Sequence, residues 1–126
     1  MGEPFIAEMR NCLVQSCTSL GFDHHNGGTV VTIEGPRFST KAESMMFRSW
    51  GCDIINMSTV PEIVLARELD LEYQSIAMST DYDCWHESEE EVTMEMIYAV
   101  MEKHVHNVKK LIENAIPLIS KNCGKE

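Results

Sequence analysis

The sequence has few basic residues, and this shortage limits the partners it can bind. Its 126 residues include 10 Lys and Arg against 20 Asp and Glu, giving a formal net charge of −10. Nucleic acids and anionic membranes are negatively charged and are bound by basic surfaces. We therefore expect neither as a partner. No apolar run approaches the length of a membrane span, and the first four residues, Met1-Gly2-Glu3-Pro4, are not typical of a signal peptide.

Paired cysteines are also lacking. The five cysteines, at positions 12, 17, 52, 84 and 123, are odd in number and contain no C-x-x-C pair. This spacing suits neither a disulfide framework nor a zinc site, and it predicts a reducing compartment, either the cytosol or the nucleus. His24 and His25 have no carboxylate or cysteine at ligand spacing beside them, so we expect a solvated turn there rather than a metal site.

Glycine and proline are sparse, with seven and four residues, while 44% of the chain is apolar. This composition is ordinary for a globular protein and argues against disorder. The length allows one domain with its own core, but not two. No repeat or linker interrupts the chain, so we expect a single unit over residues 1–126.

Helical and strand patterns alternate along the chain. Helices are predicted over Pro4–Leu20, where Gly21 is the stop, over Thr40–Trp50, over Thr59–Leu69 and from Thr93 to a stop at Pro117. Thr40 with Glu43 forms a capping box, and Thr59 is the predicted N-cap of its helix. Strands are predicted over Thr29–Ile33, Asp53–Met57 and Tyr73–Met78. This order predicts an α/β fold with a largely parallel sheet.

Side chains that could bind a ligand or take part in catalysis follow each predicted strand, at the position where ligands bind in α/β sheets. Phe38-Ser39 follow the first, Asn56-Met57-Ser58 the second and Thr80-Asp81-Tyr82-Asp83 the third. Together they offer an aromatic face, a helix N-terminus suited to an anion, and two carboxylates. This set favours a nucleoside or nucleotide ligand. Simpler alternatives stay open: a hydrophobic plug for Phe38, an N-cap for Ser58 and a polar loop for the two aspartates.

Three runs in this region resemble the trimeric purine nucleoside phosphorylase family, and within it the members that act on 5′-methylthioadenosine. They are TIEGPRFST at 32–40, DIINMSTVPE at 53–62 and SIAMSTDYDCW at 75–85. The resemblance covers nearly the whole chain. It implies a mixed, largely parallel sheet flanked by helices. It also implies phosphorolysis of 5′-methylthioadenosine to adenine and 5-methylthioribose 1-phosphate, in purine and methionine salvage. Phosphate is then a co-substrate, no metal or organic cofactor is used, and the complete enzyme is a homotrimer.

The resemblance also assigns roles to residues of the first two runs. Phe38 would lie against the sugar and the base. Asn56 and Met57 would lie at the substrate, Met57 at the ribose hydroxyls, and Ser58 would donate to phosphate. Relatives that take 6-oxopurines carry a glutamate at the position of Ser39, so a serine there implies adenine.

In the third run, Thr80, Asp81, Tyr82 and Asp83 would edge the purine. Asp81 would face N7 as the general acid, and Asp83 would lie near the 6-amino group. The relatives that take 6-oxopurines carry an asparagine at the base-reading position of Asp81, so a 6-oxopurine nucleoside phosphorylase is the less favoured alternative. The apolar side chains of Met94 and Ile97 would face the 5′-methylthio group.

The family's glycine-rich phosphate loop and Arg-His pair precede the matching region and are not in this sequence. We therefore expect the chain to be the C-terminal half of a single nucleoside phosphorylase domain, with only part of the active site. On this view it is inactive alone and catalytic only when completed. The alternative is an inactive fragment that acts as an interaction module at the trimer interface.

Overall fold

The computed structural model describes residues 1–86 and 93–123. Within these ranges the chain forms four helices and two strands. In chain order they are α1 (Ala7–Leu20), β1 (Val30–Thr32), α2 (Lys41–Ser49), β2 (Ile54–Asn56), α3 (Thr59–Glu68) and α4 (Met94–Asn122). The α/β class is therefore confirmed.

The two strands pair in parallel, as the alternating pattern predicts. Val30 lies opposite Ile54 and Thr32 opposite Asn56, and α2 makes the crossover between the strands. A further backbone bond, from the Ile33 N–H to the Asn56 carbonyl at 2.9 Å, extends the pairing beyond the assigned strands. The loops that follow β1 and β2 therefore start side by side, at one edge of the sheet.

The predicted strand Tyr73–Met78 is wrong. Residues 71–80 have no regular secondary structure, although the Tyr73 carbonyl accepts from the Ile6 N–H at 3.1 Å. An apolar and β-branched composition provides strand propensity, but a strand also needs a neighbour that completes its hydrogen-bond ladder. Within residues 1–86 and 93–123, no strand pairs with this segment.

The local capping signals of α1 and α2 are confirmed. Gly21 ends α1 in the left-handed conformation with a φ of 68°, which a residue without Cβ adopts easily. At the start of α2, the Glu43 N–H donates to Thr40 Oγ1 (3.3 Å) and the Thr40 N–H donates to Glu43 Oε2 (2.7 Å). These reciprocal bonds fix the first turn of α2.

The predicted N-cap of α3 is wrong. Ser58 is the N-cap, and Thr59 is the first helical residue, with 6% of its surface exposed. The Thr59 hydroxyl faces inward, where it accepts from Asn56 Nδ2 at 2.5 Å. Because the Thr59 hydroxyl is hydrogen-bonded to Asn56, it does not cap α3. The helix therefore begins one residue earlier than the capping preference of threonine predicts.

The predicted stop of α4 at Pro117 is also wrong, since the helix continues to Asn122. Its C-terminal half packs against α1, and Leu111 and Ala115 are buried there. Ser19 Oγ donates to Asn114 Oδ1 and Asn122 Nδ2 to Cys12 Sγ, both at 3.5 Å, so the two helices run antiparallel. This packing holds the last turns helical despite the amide hydrogen that proline lacks. None of the described helices is both long and apolar enough to span a membrane.

Candidate functional site

The turn after β1 and the turn after β2 are in contact. Gly35 has a φ of 70°, and a Cβ added to it would lie 2.9 Å from the sulfur of Met57. Such a distance is too short for two non-bonded atoms, so a side chain at position 35 would displace Met57. The structure thus brings the loop that carries Phe38 and Ser39 against the loop that carries Met57, as the sequence predicts.

The loop after residue 78 joins them through Asp83. Ser39 Oγ donates to Oδ1 at 3.2 Å and to Oδ2 at 3.4 Å, and Ser44 Oγ donates to Oδ2 at 2.5 Å. The backbone N–H of Cys84 donates to Oδ1 at 2.8 Å. Three donors therefore hold a half-buried carboxylate, and the first and third predicted strand ends meet at Ser39 and Asp83.

Ser44 is a residue of this site that sequence reasoning missed. It is 1% exposed, whereas the neighbouring Met45 is 50% exposed. A serine inside and a methionine outside reverse the usual pattern, so hydrophobic periodicity could not identify it. The only sequence signal is its place one helical turn after the capping residue Thr40, on the same face of α2.

A cluster of aromatic side chains attaches the same loop to α2 at a second point. The guanidinium of Arg48 lies 3.8 Å from the centroid of the Trp85 ring, a cation–π contact. Tyr82 stacks on His86 with centroids 4.7 Å apart, and Trp85 meets His86 edge to face at 5.4 Å. Arg48 was not predicted as part of the site either. Because it follows Ser44 by four residues, both tethers extend from one face of α2.

Asp81 has very different surroundings from Asp83. It is exposed, and its Oδ2 accepts from Thr80 Oγ1 at 2.8 Å. Phe38 and Tyr82 are also exposed, at 66% and 69%. The loop therefore presents one carboxylate that is held by the protein and one that faces outward, next in the chain to the exposed ring of Tyr82. The catalytic and base-binding roles of these residues stay predictions.

The turn between β2 and α3 has one inward and one outward polar side chain. Asn56 Oδ1 accepts from Thr32 Oγ1 at 2.8 Å, and Asn56 Nδ2 donates to Thr59. Ser58 is exposed at the N-terminus of α3, and its hydroxyl makes no capping bond in the first turn of that helix as described. Asn56 thus braces the turn, while Ser58 is placed where a helix attracts an anion.

A cleft of about 350 Å³ lies beside Ser39, lined by Ile33, Glu34, Gly35, Arg37, Ser39, Glu43 and Phe47. Arg37 meets Glu43 in a two-pronged ion pair with N–O distances of 2.6 and 2.7 Å. These bonds, together with those from Thr40, lower the pKa of Glu43 to about 2, and Glu43 in turn raises the pKa of Arg37. The wall of the cleft therefore keeps a compensated charge pair.

Three remaining predictions concern the start of α4, the acidic segment before it and the paired histidines. Met94, 48% exposed, and the half-buried Ile97 lie in the first turn of α4, and their contact with a 5′ substituent stays a prediction. Seven carboxylates lie between Asp81 and Glu95, which predicts a solvated loop leading into a helix, and residues 87–92 of that segment lie outside the described residues. His24 Nδ1 makes a 2.8 Å hydrogen bond with the Phe22 carbonyl in an exposed turn. The described part of the chain contains no group of three or more His, Cys, Asp or Glu residues that could share a metal ion.

Comparison with known proteins points to one family. The family model of the phosphorylase superfamily matches residues 1–117. The chain is 51% identical over 119 residues to an S-methyl-5′-thioadenosine phosphorylase of Danio rerio and 50% identical over 120 residues to one of Anopheles gambiae. These matches cover 94% and 95% of this chain.

Solved structures agree with the sequence matches. A double mutant of the adenosine/methylthioadenosine phosphorylase of Schistosoma mansoni in complex with adenine superposes with a TM-score of 0.89, at 39% identity over 96% of this chain. A single mutant of the same enzyme in complex with methylthioadenosine superposes with a TM-score of 0.86 at 36% identity. This chain spans 42% of the Danio rerio relative and 49% of the first of these structures.

Proposed function

Because the chain belongs to the phosphorylase superfamily, we propose that it is the purine- and ribose-binding part of an enzyme that splits 5′-methylthioadenosine with phosphate. The products are adenine and 5-methylthioribose 1-phosphate. Similarity to relatives of that activity supports the substrate. The observation that carries the proposal is Asp83, which Ser39, Ser44 and the Cys84 N–H hold beside the exposed Asp81.

The two aspartates have separate tasks in this proposal. As phosphate attacks C1′, the sugar becomes positively charged and the departing purine gathers negative charge. Asp81, which faces outward, donates a proton to N7 of the leaving base, and general acid catalysis of this kind contributes about 10²–10⁴-fold. Asp83 accepts from the 6-amino group. Thr80 supports Asp81 through the 2.8 Å bond to its carboxylate.

The remaining predicted residues act on the sugar and phosphate. Phe38 and Tyr82 provide aromatic surface for the base and ribose, and both are exposed and able to receive a ligand. Met57, packed against Gly35, lies at the ribose hydroxyls. Ser58 and the N-terminus of α3 bind phosphate. Met94 and Ile97 take the 5′-methylthio group.

The chain holds part of this site, and the share of the relatives that it spans supports this view. We propose that it is the C-terminal half of one nucleoside phosphorylase domain, inactive alone. The complete enzyme uses no metal or organic cofactor, forms a homotrimer and works in the cytosol or the nucleus. The sequence resemblance predicts the absence of a cofactor and the homotrimer, and the cysteine content predicts the compartment.

The test uses a fusion protein in which this chain follows the part of the Danio rerio relative that precedes the matching region. We refer to this fusion protein as the completed enzyme. Adenine release from 5′-methylthioadenosine and phosphate is followed by absorbance, with inosine as the 6-oxopurine substrate. Asp81→Asn should lower kcat/KM for the adenine substrate at least about a hundredfold, because an amide cannot supply the proton. Activity on inosine should fall much less or rise, because the asparagine amide can donate to the 6-oxo group and relieves its mismatch with the carboxyl of Asp81.

Asp83→Asn serves as the matched comparison and should have the smaller effect on the adenine substrate, since it changes a group that only positions the base. Equal losses on both substrates, or a larger loss at Asp83, would show that the two roles are assigned wrongly. A completed enzyme that prefers inosine would favour a 6-oxopurine nucleoside phosphorylase instead.

The second candidate, an inactive interaction module, draws on the same partial coverage of the relatives. It predicts that this chain binds a full-length relative at its subunit interface and never contributes to turnover. Adenine release by the completed enzyme would exclude it, because the catalytic carboxylates of that protein come from this chain.

A further inference from the structure

Ser44 is a fully buried hydroxyl whose bond partner is a carboxylate of the site rather than its own helix. Its Oγ donates to Asp83 Oδ2 at 2.5 Å, and the residue is 1% exposed. A serine in a helix interior usually donates to the carbonyl of the preceding turn or faces water. Ser44 does neither, so its side chain is committed to Asp83.

The helix that carries Ser44 is fixed at its N-terminus. The capping box of Thr40 and Glu43 closes its first turn, and the Ser44 N–H donates to the Thr40 carbonyl at 2.9 Å. Arg48, one turn further along the same face, holds Trp85 by its cation–π contact. The loop that contains Asp83 is thus attached to a rigid helix at two points, two residues apart in the loop.

The bonds to Asp83 determine what a ligand can offer it. A carboxylate has about four acceptor positions. On Oδ1, the Cys84 N–H and Ser39 occupy two of them, and on Oδ2 Ser44 occupies a third. An ionised carboxylate only accepts hydrogen bonds, so the position that is left on Oδ2 pairs only with a group that donates. An exocyclic amino group fits this requirement, whereas a carbonyl oxygen at the same place does not.

We infer that Ser44 is a positioning residue that orients the Asp83 carboxylate so that its remaining acceptor position faces the 6-amino group of the purine. The inference rests on the proposed function. Without the Ser44 hydroxyl, Oδ2 keeps only the longer 3.4 Å contact with Ser39, and the carboxylate can rotate about its terminal torsion. The Ser44 hydroxyl therefore contributes to the choice of 6-aminopurines over other purines, although it touches no substrate atom.

The test compares Ser44→Ala with the unmodified completed enzyme on two substrates. These are 5′-methylthioadenosine and its analogue with hydrogen in place of the 6-amino group. We expect kcat/KM for 5′-methylthioadenosine to fall about ten- to a hundredfold, the scale of one hydrogen bond to a charged group. For the analogue, which has no amino group to meet Asp83, we expect a loss of less than about threefold.

Three further variants separate positioning from general damage. Ser49→Ala changes an exposed serine of the same helix, whose hydroxyl donates to the Met46 carbonyl. It should leave kcat/KM unchanged for both substrates. Ser44→Cys keeps the shape of the side chain, with a slightly larger atom that is still a weak donor, so it should restore part of the lost activity. In an Asp83→Asn background, Ser44→Ala should add nothing to the loss.

The outcomes are distinguishable. An unmodified completed enzyme that releases no adenine overturns the proposed function and this inference together. If the completed enzyme is active, three results overturn only the inference. These are that Ser44→Ala leaves kcat/KM unchanged, that it lowers kcat/KM equally for both substrates, or that it adds its full effect to that of Asp83→Asn. If Ser44→Ala does not fold, Ser44→Cys and its substrate ratio decide in the same way.

Discussion

Replacing Thr59 with valine removes one oxygen atom from the junction that carries Asn56 and Ser58. Thr59 is 6% exposed, and its hydroxyl accepts from Asn56 Nδ2, while Asn56 Oδ1 accepts from Thr32. Valine has nearly the same shape, so packing is preserved. The substitution leaves the Asn56 amide without one of its hydrogen bonds, beside the turn that carries Ser58.

The expected cost follows from the burial of the two partners. A buried donor that loses its acceptor costs about 1–3 kcal/mol of unfolding free energy. Asn56 is only half-buried, and water can reach part of its amide, so we expect the lower part of that range, about 1–2 kcal/mol. Thr18→Val is the matched control, because the Thr18 hydroxyl donates to the Val14 carbonyl at an exposed site. A surface change of this kind costs no more than about 0.5 kcal/mol.

The assay is urea unfolding, followed by the fluorescence of Trp50 and Trp85. Thr59→Val should lower the midpoint without changing the dependence on urea concentration. In an Asn56→Ala background, the same substitution should cost much less, since its partner is gone. Equal midpoint shifts for Thr59→Val and Thr18→Val, or full additivity with Asn56→Ala, would refute the claim that this bond supports the junction.

Three other expectations concern phosphate, acid and helix α4. Ser58→Ala should raise the phosphate concentration that half-saturates the completed enzyme about ten- to a hundredfold, whereas unchanged phosphate dependence with weakened nucleoside binding would reassign Ser58. Glu43→Gln keeps the capping geometry but removes the charge. The pKa of Glu43 is about 2 in the fold against its ordinary 4.5, so the ion pair stabilises the protein above pH 4.5 and loses that contribution as the pH falls towards 2. The gap between the melting temperatures of the two proteins should narrow over that range, and a constant gap would contradict this. Pro117→Ala restores an amide donor to the last turns of α4 and should stabilise the chain by about 1–3 kcal/mol in urea unfolding, and an unchanged or lowered midpoint would contradict this.

The features predicted correctly from sequence are those that a few adjacent residues determine. Gly21 ends α1 because its left-handed conformation suits glycine, and Thr40 with Glu43 starts α2 through bonds three residues apart. The parallel pairing of β1 and β2 also follows from a local pattern, since each run is β-branched and a helix separates them. The contact between the three loops follows in part, because chain segments that leave parallel strands share one edge.

The errors arise where a distant partner decides the outcome. Tyr73–Met78 has strand composition but pairs with no strand in residues 1–86 and 93–123, and sequence alone does not show which neighbour a strand meets. Pro117 stays inside α4 because α1 packs on that helix. Ser44 was overlooked because its importance depends on a bond to Asp83, 39 residues away. Each outcome is set by tertiary contact rather than by propensity.

The antiparallel pairing of α1 and α4 has a consequence for how the polypeptide acquires its structure during synthesis. The two bonds between these helices join residues 95 and 110 positions apart in the chain. The buried face of α1, with Cys12, Ser16 and Cys17, has no α4 to cover it until the ribosome has made residues near Ala115. At about 5–20 residues per second, that interval is about 5–20 s. Throughout that interval the face of α1 that α4 covers stays exposed, so the packing of α1 on α4 forms only after translation has passed the end of the site.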